Sequence, residues 1–205
     1  MTNFADNYTN MTAEKGKKKK YKREIIEWIV IISVGAFLYL TGLHTQVIGS
    51  IQGLVLKTGI IKPSIEETDA ENATYEFKLI SGKGEVLNGE DLKDKTVFIN
   101  LWATWCPPCI AEMPDINDLY TELASDDIIF LMVSLDEDFE KARKFIDKKG
   151  FDFEIYQFYS NIPEVYYSKV IPTTFVLSPD GKIVVRKQGM AKYTGKSFKN
   201  FLKSL

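Results

Sequence analysis

The chain has few of the side chains that hold metals, because its 205 residues include only two cysteines and one histidine. A structural zinc site needs about four ligands, and His44 lies far along the chain from Cys106 and Cys109. A covalent haem site needs a histidine after the second cysteine, but Ile110 stands there. An excess of basic residues is also missing, since the formal net charge is −2. We therefore expect no metal cofactor and no nucleic-acid partner.

Both cysteines stand in one short motif, Trp105-Cys-Pro-Pro-Cys109. The apolar run Thr96–Trp102 precedes it, and a helical pattern follows over Ile110–Leu123. Two thiols separated by two residues at a helix N-terminus can close a disulfide ring, and the helix dipole stabilises a thiolate on the first sulfur. A disulfide that only stapled so short a loop would remove little chain entropy. The motif therefore predicts a redox centre.

Long apolar runs are scarce, and the longest lies at residues 28–43 without a charged residue. Ile25 and Ile26 extend it across Glu27. The run is short for a span of about 20 residues, so we expect it to use its flanks or a thinned bilayer. Seven basic residues precede it: Lys15, Lys17, Lys18, Lys19, Lys20, Lys22 and Arg23.

The next basic residues after the run are Lys57 and Lys62. The positive-inside rule then predicts a basic cytoplasmic tail over residues 1–24, a single transmembrane anchor over residues 25–43, and an extracytoplasmic remainder. The protein would thus lie in a cytoplasmic membrane, with the lipid bilayer as a partner. A cleaved signal peptide has a similar layout, but no A-x-A-like cleavage site follows the run.

Residues 44–61 carry apolar side chains at helical spacing, which predicts an amphipathic helix. This helix could lie along the outer face of the membrane, continue the spanning helix, or pack on the soluble domain. Residues 62–73 are polar, acidic and aperiodic, and we interpret them as a linker. Residues 62–205 carry 18 basic and 24 acidic side chains, so the predicted outer part is acidic.

Residues 74–205 are enough for one domain with a proper core. Strand and helix patterns alternate along them, and this alternation predicts an α/β fold whose sheet is covered on both faces. The predicted elements are a hairpin of Tyr75–Ile80 with Gly84–Leu87, strand Thr96–Leu101, helix Pro107–Ala124, strand Ile128–Ser134, helix Phe139–Lys149, an extended segment Phe151–Tyr156, strands Thr173–Leu177 and Ile183–Gln188 around a turn, and helix Lys196–Leu205.

Two segments resemble the TlpA/ResA-like membrane-anchored thiol-disulfide oxidoreductases of the thioredoxin superfamily. They are Val97–Pro114, which contains the cysteine motif, and Ile171–Phe175. The resemblance covers residues 74–205 and implies a thioredoxin-like fold with an N-terminal β-hairpin extension. It implies that Cys106 is the nucleophile, that Cys109 resolves the mixed disulfide, and that the Cys106–Cys109 disulfide replaces any cofactor.

The resemblance also implies a substrate-binding rim. Pro172 would be cis and would face the cysteines, and the backbone of Ile171 would be free to pair with an extended substrate. We expect the substrate to contact the residues around the motif and around this proline: Trp105, Pro107, Pro108, Ile171, Pro172 and Thr173. Pro107 and Pro108 also suit the first positions of a helix, where a missing N–H costs little.

Glu112 is the predicted proton-transfer group. It follows Cys109 by three residues, as is typical of this branch, and cytosolic thioredoxins carry an aspartate where this chain has Asn100. Proton transfer therefore falls to Glu112 or to water. By residue type alone, Glu112 would be an exposed surface acid with little influence on stability. Pro114 lies inside the helical pattern and should kink it.

These features predict an extracytoplasmic thiol-disulfide oxidoreductase that reduces disulfides of exported proteins. By analogy with the family, the substrate would belong to cytochrome c maturation, and a membrane electron donor would recharge the protein. The direction of exchange depends on the reduction potential, so a thiol oxidase that donates disulfides is an alternative. A non-catalytic membrane-tethered adaptor is another alternative, although both cysteines are present. A peroxidase would normally use a lone cysteine outside such a motif.

Overall fold

The structure is a computed structural model, and it describes residues 24–41, 43–58, 61, 63 and 71–205. Helix α1 covers residues 24–40, and helix α2 covers Leu43–Lys57. The chain divides into one unit that ends at His44 and a second that comprises Thr45–Leu205. None of the helices in the described ranges is both long and apolar enough to cross a membrane. The predicted cytoplasmic tail, apart from Glu24, and the linker residues 62 and 64–70 lie outside these ranges.

The unit that begins at Thr45 contains strands and helices in alternation. Its strands are β1 (Glu71–Asn72), β2 (Lys78–Ser81), β3 (Val86–Asn88), β4 (Thr96–Trp102), β5 (Ile128–Ser134), β6 (Ile155–Phe158), β7 (Thr173–Leu177) and β8 (Lys182–Gln188). Its further helices are α3 (Pro107–Leu123), α4 (Phe139–Lys149) and α5 (Lys196–Ser204). Short 3₁₀ turns cover Gly89–Leu92 and Glu164–Tyr166.

All eight strands of the described residues form one sheet in the order β1-β8-β7-β4-β5-β6-β2-β3. Strands β4, β5 and β6 are parallel. Strand β7 pairs antiparallel with β4, and β8 pairs antiparallel with β7. The hairpin β2–β3 joins at the other side through β6. The predicted α/β sheet is confirmed, and this order is that of a thioredoxin-like fold with a hairpin extension.

The end of the predicted linker differs from expectation, because Glu71 and Asn72 form the edge strand β1. They pair with Ile183 and Lys182 of β8. Both β1 residues are exposed, so the strand has no alternation of apolar and polar side chains. A two-residue edge strand of this kind leaves no periodic signal in a sequence.

Strand β4 lies at the centre of the sheet and is buried over its whole length. Its alternate residues Val97, Ile99 and Leu101 belong to the core on one face of the sheet. Phe98 and Trp102 belong to the core on the other face, under α3. Burial on both faces explains why the sequence of β4 is a continuous apolar run. Asn100 interrupts that run on the face of Phe98 and Trp102.

The predicted amphipathic helix is present as α2, and from Thr45 onwards it belongs to the same unit as the sheet. A Cβ atom on Gly49 would lie 3.0 Å from the carbonyl oxygen of Pro107 and 3.2 Å from the side chain of Ile110. Beyond α2, the carbonyl oxygen of Ile61 accepts a hydrogen bond from the Lys192 N–H (2.9 Å). From Thr45 onwards, α2 therefore lies against α3 of the same unit.

Candidate active site

The cysteine motif follows directly from the central strand. Strand β4 ends at Trp102, and Cys106 is the N-cap residue of α3. The two sulfur atoms are bonded in a disulfide, and the Cys109 N–H donates to the Cys106 sulfur at 3.3 Å. Cys106 is 4% exposed and Cys109 is 1% exposed. Both cysteines are therefore buried, and Cys106 is the slightly more exposed of the two.

The two prolines of the motif occupy the first two positions of α3, as predicted. A helix normally presents about four unpaired N–H groups at its N-terminus. Pro107 and Pro108 have no N–H, and the Ile110 N–H donates to the Cys106 carbonyl oxygen. The Cys109 N–H is consequently the helix N–H that the structure directs at the Cys106 sulfur. A thiolate on Cys106 would receive this hydrogen bond together with the helix dipole.

An aspartate that the sequence analysis did not single out holds the turn before the motif. Asp136 is buried and follows β5. Its carboxylate accepts hydrogen bonds from the Thr104 N–H (2.9 Å), the Thr104 hydroxyl (2.6 Å) and the Ser134 hydroxyl (2.9 Å). Since Thr104 stands two residues before Cys106, these bonds position the nucleophile relative to the neighbouring strand.

The segment around Pro172 lies at the start of β7, which pairs with β4. The Ile171–Pro172 peptide bond is cis, as the resemblance implies, and the Pro172 carbonyl oxygen accepts from the Gly189 N–H (2.8 Å). Ile171 is half-buried and precedes the first paired residue of the strand. Thr173 is buried, and its hydroxyl donates to the Val170 carbonyl oxygen (2.6 Å). The Thr173 side chain thus stabilises the loop before β7 and does not face solvent.

The other residues of the predicted rim differ in exposure. Trp105 is 59% exposed, whereas Pro107 and Pro108 are half-buried. The exposed indole stands next to Cys106 in the chain, so it offers an aromatic surface beside the nucleophile. Trp102, by contrast, is fully buried in the core.

The expectation that Glu112 is a surface acid is wrong, because the side chain is fully buried. Its carboxylate accepts hydrogen bonds from the Asn100 side-chain amide (2.8 Å) and from the Ala191 N–H (3.0 Å). Burial is the largest cause of a pKa raised from 4.5 to about 8, against the two hydrogen bonds, which lower it. A signal for this burial was present, since Glu112 falls in the helical stripe Cys109, Met113, Ile116 that lines the core.

The Glu112 carboxylate is one end of a buried polar network. The Asn100 amide also donates to the Thr174 hydroxyl oxygen (2.9 Å), which accepts a further bond from the Tyr193 hydroxyl (2.7 Å). Burial raises the pKa of Tyr193 well above its ordinary value. The Asn100 carbonyl oxygen has no hydrogen-bond partner among the described residues. Rotation of this amide would present an acceptor to a protonated Glu112, so either protonation state of Glu112 can be paired.

Within the ranges that the structure describes, no group of three or more His, Cys, Asp and Glu side chains could hold a metal ion. Cys106, Cys109 and Glu112 lie on α3, and Asn100 lies on the adjacent strand β4.

Comparison with known proteins agrees with this geometry. The AhpC/TSA family model matches residues 70–186. The thiol-disulfide oxidoreductase ResA of Halalkalibacterium halodurans is 32% identical over 129 residues, which cover 62% of this chain and 73% of the relative. ResA of Bacillus subtilis is 33% identical over 125 residues, which cover 60% of this chain and 68% of the relative.

Solved structures show the same similarity. A candidate thiol-disulfide oxidoreductase from Bacteroides vulgatus aligns with a TM-score of 0.53 at 28% identity, over 62% of this chain and 90% of its own. A candidate thiol:disulfide interchange protein DsbE from Chlorobium tepidum aligns with a TM-score of 0.54 at 24% identity, over 69% and 95% of the two chains, and supports the fold. The chain therefore belongs to the AhpC/TSA family, and it is a ResA/TlpA-like thiol-disulfide oxidoreductase of the thioredoxin superfamily.

Proposed function

We propose that the protein is a membrane-anchored, extracytoplasmic reductase of disulfides in exported proteins. The observation that carries this proposal is the position of Cys106, which caps α3, receives the Cys109 N–H and is the more exposed of the two cysteines. This arrangement suits a thiolate that attacks a disulfide brought to the surface. Cys109 is then placed to act second.

The reaction transfers two electrons from the cysteine pair to the substrate. The Cys106 thiolate attacks one substrate sulfur, the substrate S–S bond breaks, and a mixed disulfide forms while the first substrate thiolate leaves and takes up a proton. The Cys109 thiol then loses its proton and attacks the Cys106 sulfur. The mixed disulfide breaks, the second substrate thiol is released, and the Cys106–Cys109 disulfide remains.

Glu112 is the group that we propose to accept the Cys109 proton. An ordinary thiol has a pKa of about 8.5, so transfer to a carboxylate with an ordinary pKa is unfavourable by about 5 kcal/mol. Burial raises the pKa of Glu112 to about 8, which is closer to the pKa of an ordinary thiol and lowers the cost of this transfer. About one molecule in ten carries the Glu112 carboxylate at pH 7. This fraction can act as the base, because the free energy of proton transfer from the thiol is only slightly unfavourable.

The substrate would lie across the rim between the motif and the Pro172 segment. Trp105 offers an exposed aromatic face, and Pro107 and Pro108 form the adjoining edge. Ile171 stands outside the ladder of β7, so its backbone is positioned to pair with an extended substrate segment. Pro172 and the backbone of Thr173 would form the floor of this site.

We further propose that residues 25–43 anchor the protein in a bacterial cytoplasmic membrane, with the N-terminus inside. The support is the uncharged run 28–43 behind seven basic residues, together with the exposure of the large apolar side chains of α1 such as Trp28 and Ile32. A domain outside the cytoplasm needs a membrane electron donor to reduce Cys106 and Cys109 again. Exported thiol proteins, including those of cytochrome c maturation, are the proposed substrates.

Two measurements test the proposal. The reduction potential of the Cys106–Cys109 pair is expected near the value of about −270 mV of thioredoxin, whereas a value near −120 mV would indicate a thiol oxidase. Protease added to intact spheroplasts is expected to digest the domain after residue 62 and to spare residues 1–24. A C-terminal domain that stays protected in this assay would contradict the proposed orientation.

A further inference from the structure

Helix α2 carries apolar side chains on two opposite faces. Gly49 and Leu56 are buried. Four aliphatic side chains are exposed instead: Ile48 (43%), Ile51 (63%), Leu54 (68%) and Val55 (46%). At about 100° per residue, Ile51, Leu54 and Val55 lie on the side of α2 away from Gly49 and Leu56, with Ile48 at the edge of that side. Leu54 also lines a cavity beside α3. We call the exposed set the outer face of α2.

The inner face of α2 is occupied by the active-site helix. Gly49 approaches the Pro107 carbonyl oxygen and the Ile110 side chain. One turn further on, a Cβ atom on Gly53 would lie 3.5 Å from the Ala111 carbonyl oxygen. Two glycines spaced by four residues thus let the backbones of α2 and α3 come close. Because Pro107 directly follows Cys106, the contact holds α3 at its redox-active end.

The connection to α1 indicates what covers the outer face. Helix α1 ends at residue 40, and α2 begins at Leu43, so only residues 41 and 42 separate the two. A helix that starts so soon after a membrane anchor cannot begin far from the lipid headgroups. The sequence of α2 contains no acidic residue that an anionic lipid surface would repel, and Lys57 is its last residue.

We propose that the outer face of α2 lies in the lipid headgroup region while its inner face holds α3, so that α2 couples the redox-active end of α3 to the membrane surface. This inference rests on the proposed anchoring by residues 25–43. It assigns a lipid surface, in preference to a second copy of the chain, as the partner of Ile48, Ile51, Leu54 and Val55. This position of α2 also keeps the cysteine pair near a membrane electron donor.

The test uses the full chain in nanodiscs of phosphatidylglycerol and phosphatidylcholine, with isoleucine methyl groups labelled for NMR. A lipid spin-labelled near the headgroup should reduce the signals of Ile48 and Ile51 at least fivefold and leave Ile183 unchanged. Unchanged signals of Ile48 and Ile51, with Ile32 broadened by a lipid spin-labelled deep in its chain, would overturn the inference and leave the anchor intact. If Ile32 also stays unchanged, the anchor and the inference both fail.

A variant separates lipid contact from self-association. Ile51→Asp with Leu54→Asp should restore the Ile48 signal in nanodiscs, whereas the control Val86→Asp, at an exposed aliphatic residue of β3, should not. Insulin reduction in detergent should stay within twofold of the parent for both variants, because neither changes the cysteine site. A dimer in detergent that Ile51→Asp with Leu54→Asp abolishes would identify a second copy as the occupant and overturn the lipid assignment.

Discussion

Replacing Glu112 by glutamine should change how the stability of the protein depends on pH. Glu112 is fully buried, and its pKa is raised from 4.5 to about 8, chiefly by burial. The folded state therefore binds this proton more tightly than the unfolded state does. The stabilisation that this proton contributes is fully present below about pH 4.5 and is lost as the pH rises towards 8. At about 1.4 kcal/mol per pKa unit, the loss amounts to about 5 kcal/mol.

Glutamine removes the ionisation but keeps the volume and a hydrogen-bonding amide. Its carbonyl oxygen can accept from the Ala191 N–H, and its NH₂ group can donate to Asn100 once the Asn100 amide rotates, because the Asn100 carbonyl oxygen is otherwise unpaired among the described residues. We therefore expect Glu112→Gln to resemble the protonated parent. The variant should become the more stable protein as the pH rises.

The assay is urea unfolding of the oxidised full chain in detergent at a series of pH values from 4.5 to 9. The free energy of unfolding of the parent should fall relative to that of Glu112→Gln by up to about 5 kcal/mol and level off above pH 8. Glu85→Gln, at an exposed position, is the matched control and should follow the parent. A parent-to-variant difference that stays within about 1 kcal/mol across this range would refute the burial argument.

The same variant tests the proposed chemistry through stopped-flow kinetics. Without the carboxylate, Cys109 must give its proton to water, and resolution of the mixed disulfide should slow on the order of 10²-fold at neutral pH. The step that forms the mixed disulfide should change much less. Superimposable pH profiles of resolution for parent and variant would remove Glu112 from the mechanism.

The remaining predictions concern the motif and its surroundings. Cys109→Ser should accumulate mixed disulfides through Cys106, seen by diagonal gel electrophoresis, and adducts that survive loss of Cys106 would reverse the assigned roles. Asp136→Ala should lower the free energy of unfolding by about 3 kcal/mol, since three hydrogen bonds to the Thr104 turn and Ser134 are lost; an unchanged urea midpoint would contradict this. Trp105→Ala should change stability by less than about 0.5 kcal/mol but raise KM for a protein disulfide severalfold, and an unchanged KM would exclude Trp105 from the rim.

Local patterns in the sequence were enough to predict most of the strands and helices and the chemistry of the cysteine pair. The apolar run of β4 and the periodicity of α3 are local patterns, and the cysteine motif between them needs no partner from elsewhere to be recognised. The positions of Pro107 and Pro108 at the start of α3 follow from the missing N–H of proline. Strand β5, helix α4 and strand β7 have the predicted bounds, because β5 and β7 are short runs rich in apolar and β-branched residues and α4 has a helical period.

The surroundings of Glu112 could not be predicted from the sequence. The helical periodicity predicts the position of Glu112 on α3. Its hydrogen-bond partners Asn100 and Ala191, however, are 12 and 79 residues away in the chain. Helical periodicity tells which residues share a face and does not tell what packs against that face. The same holds for Asp136, whose partner Thr104 lies 32 residues earlier, in the turn after the neighbouring strand β4. The pKa of a carboxyl depends on its whole environment, and that environment exists only once distant segments are brought together by the sheet.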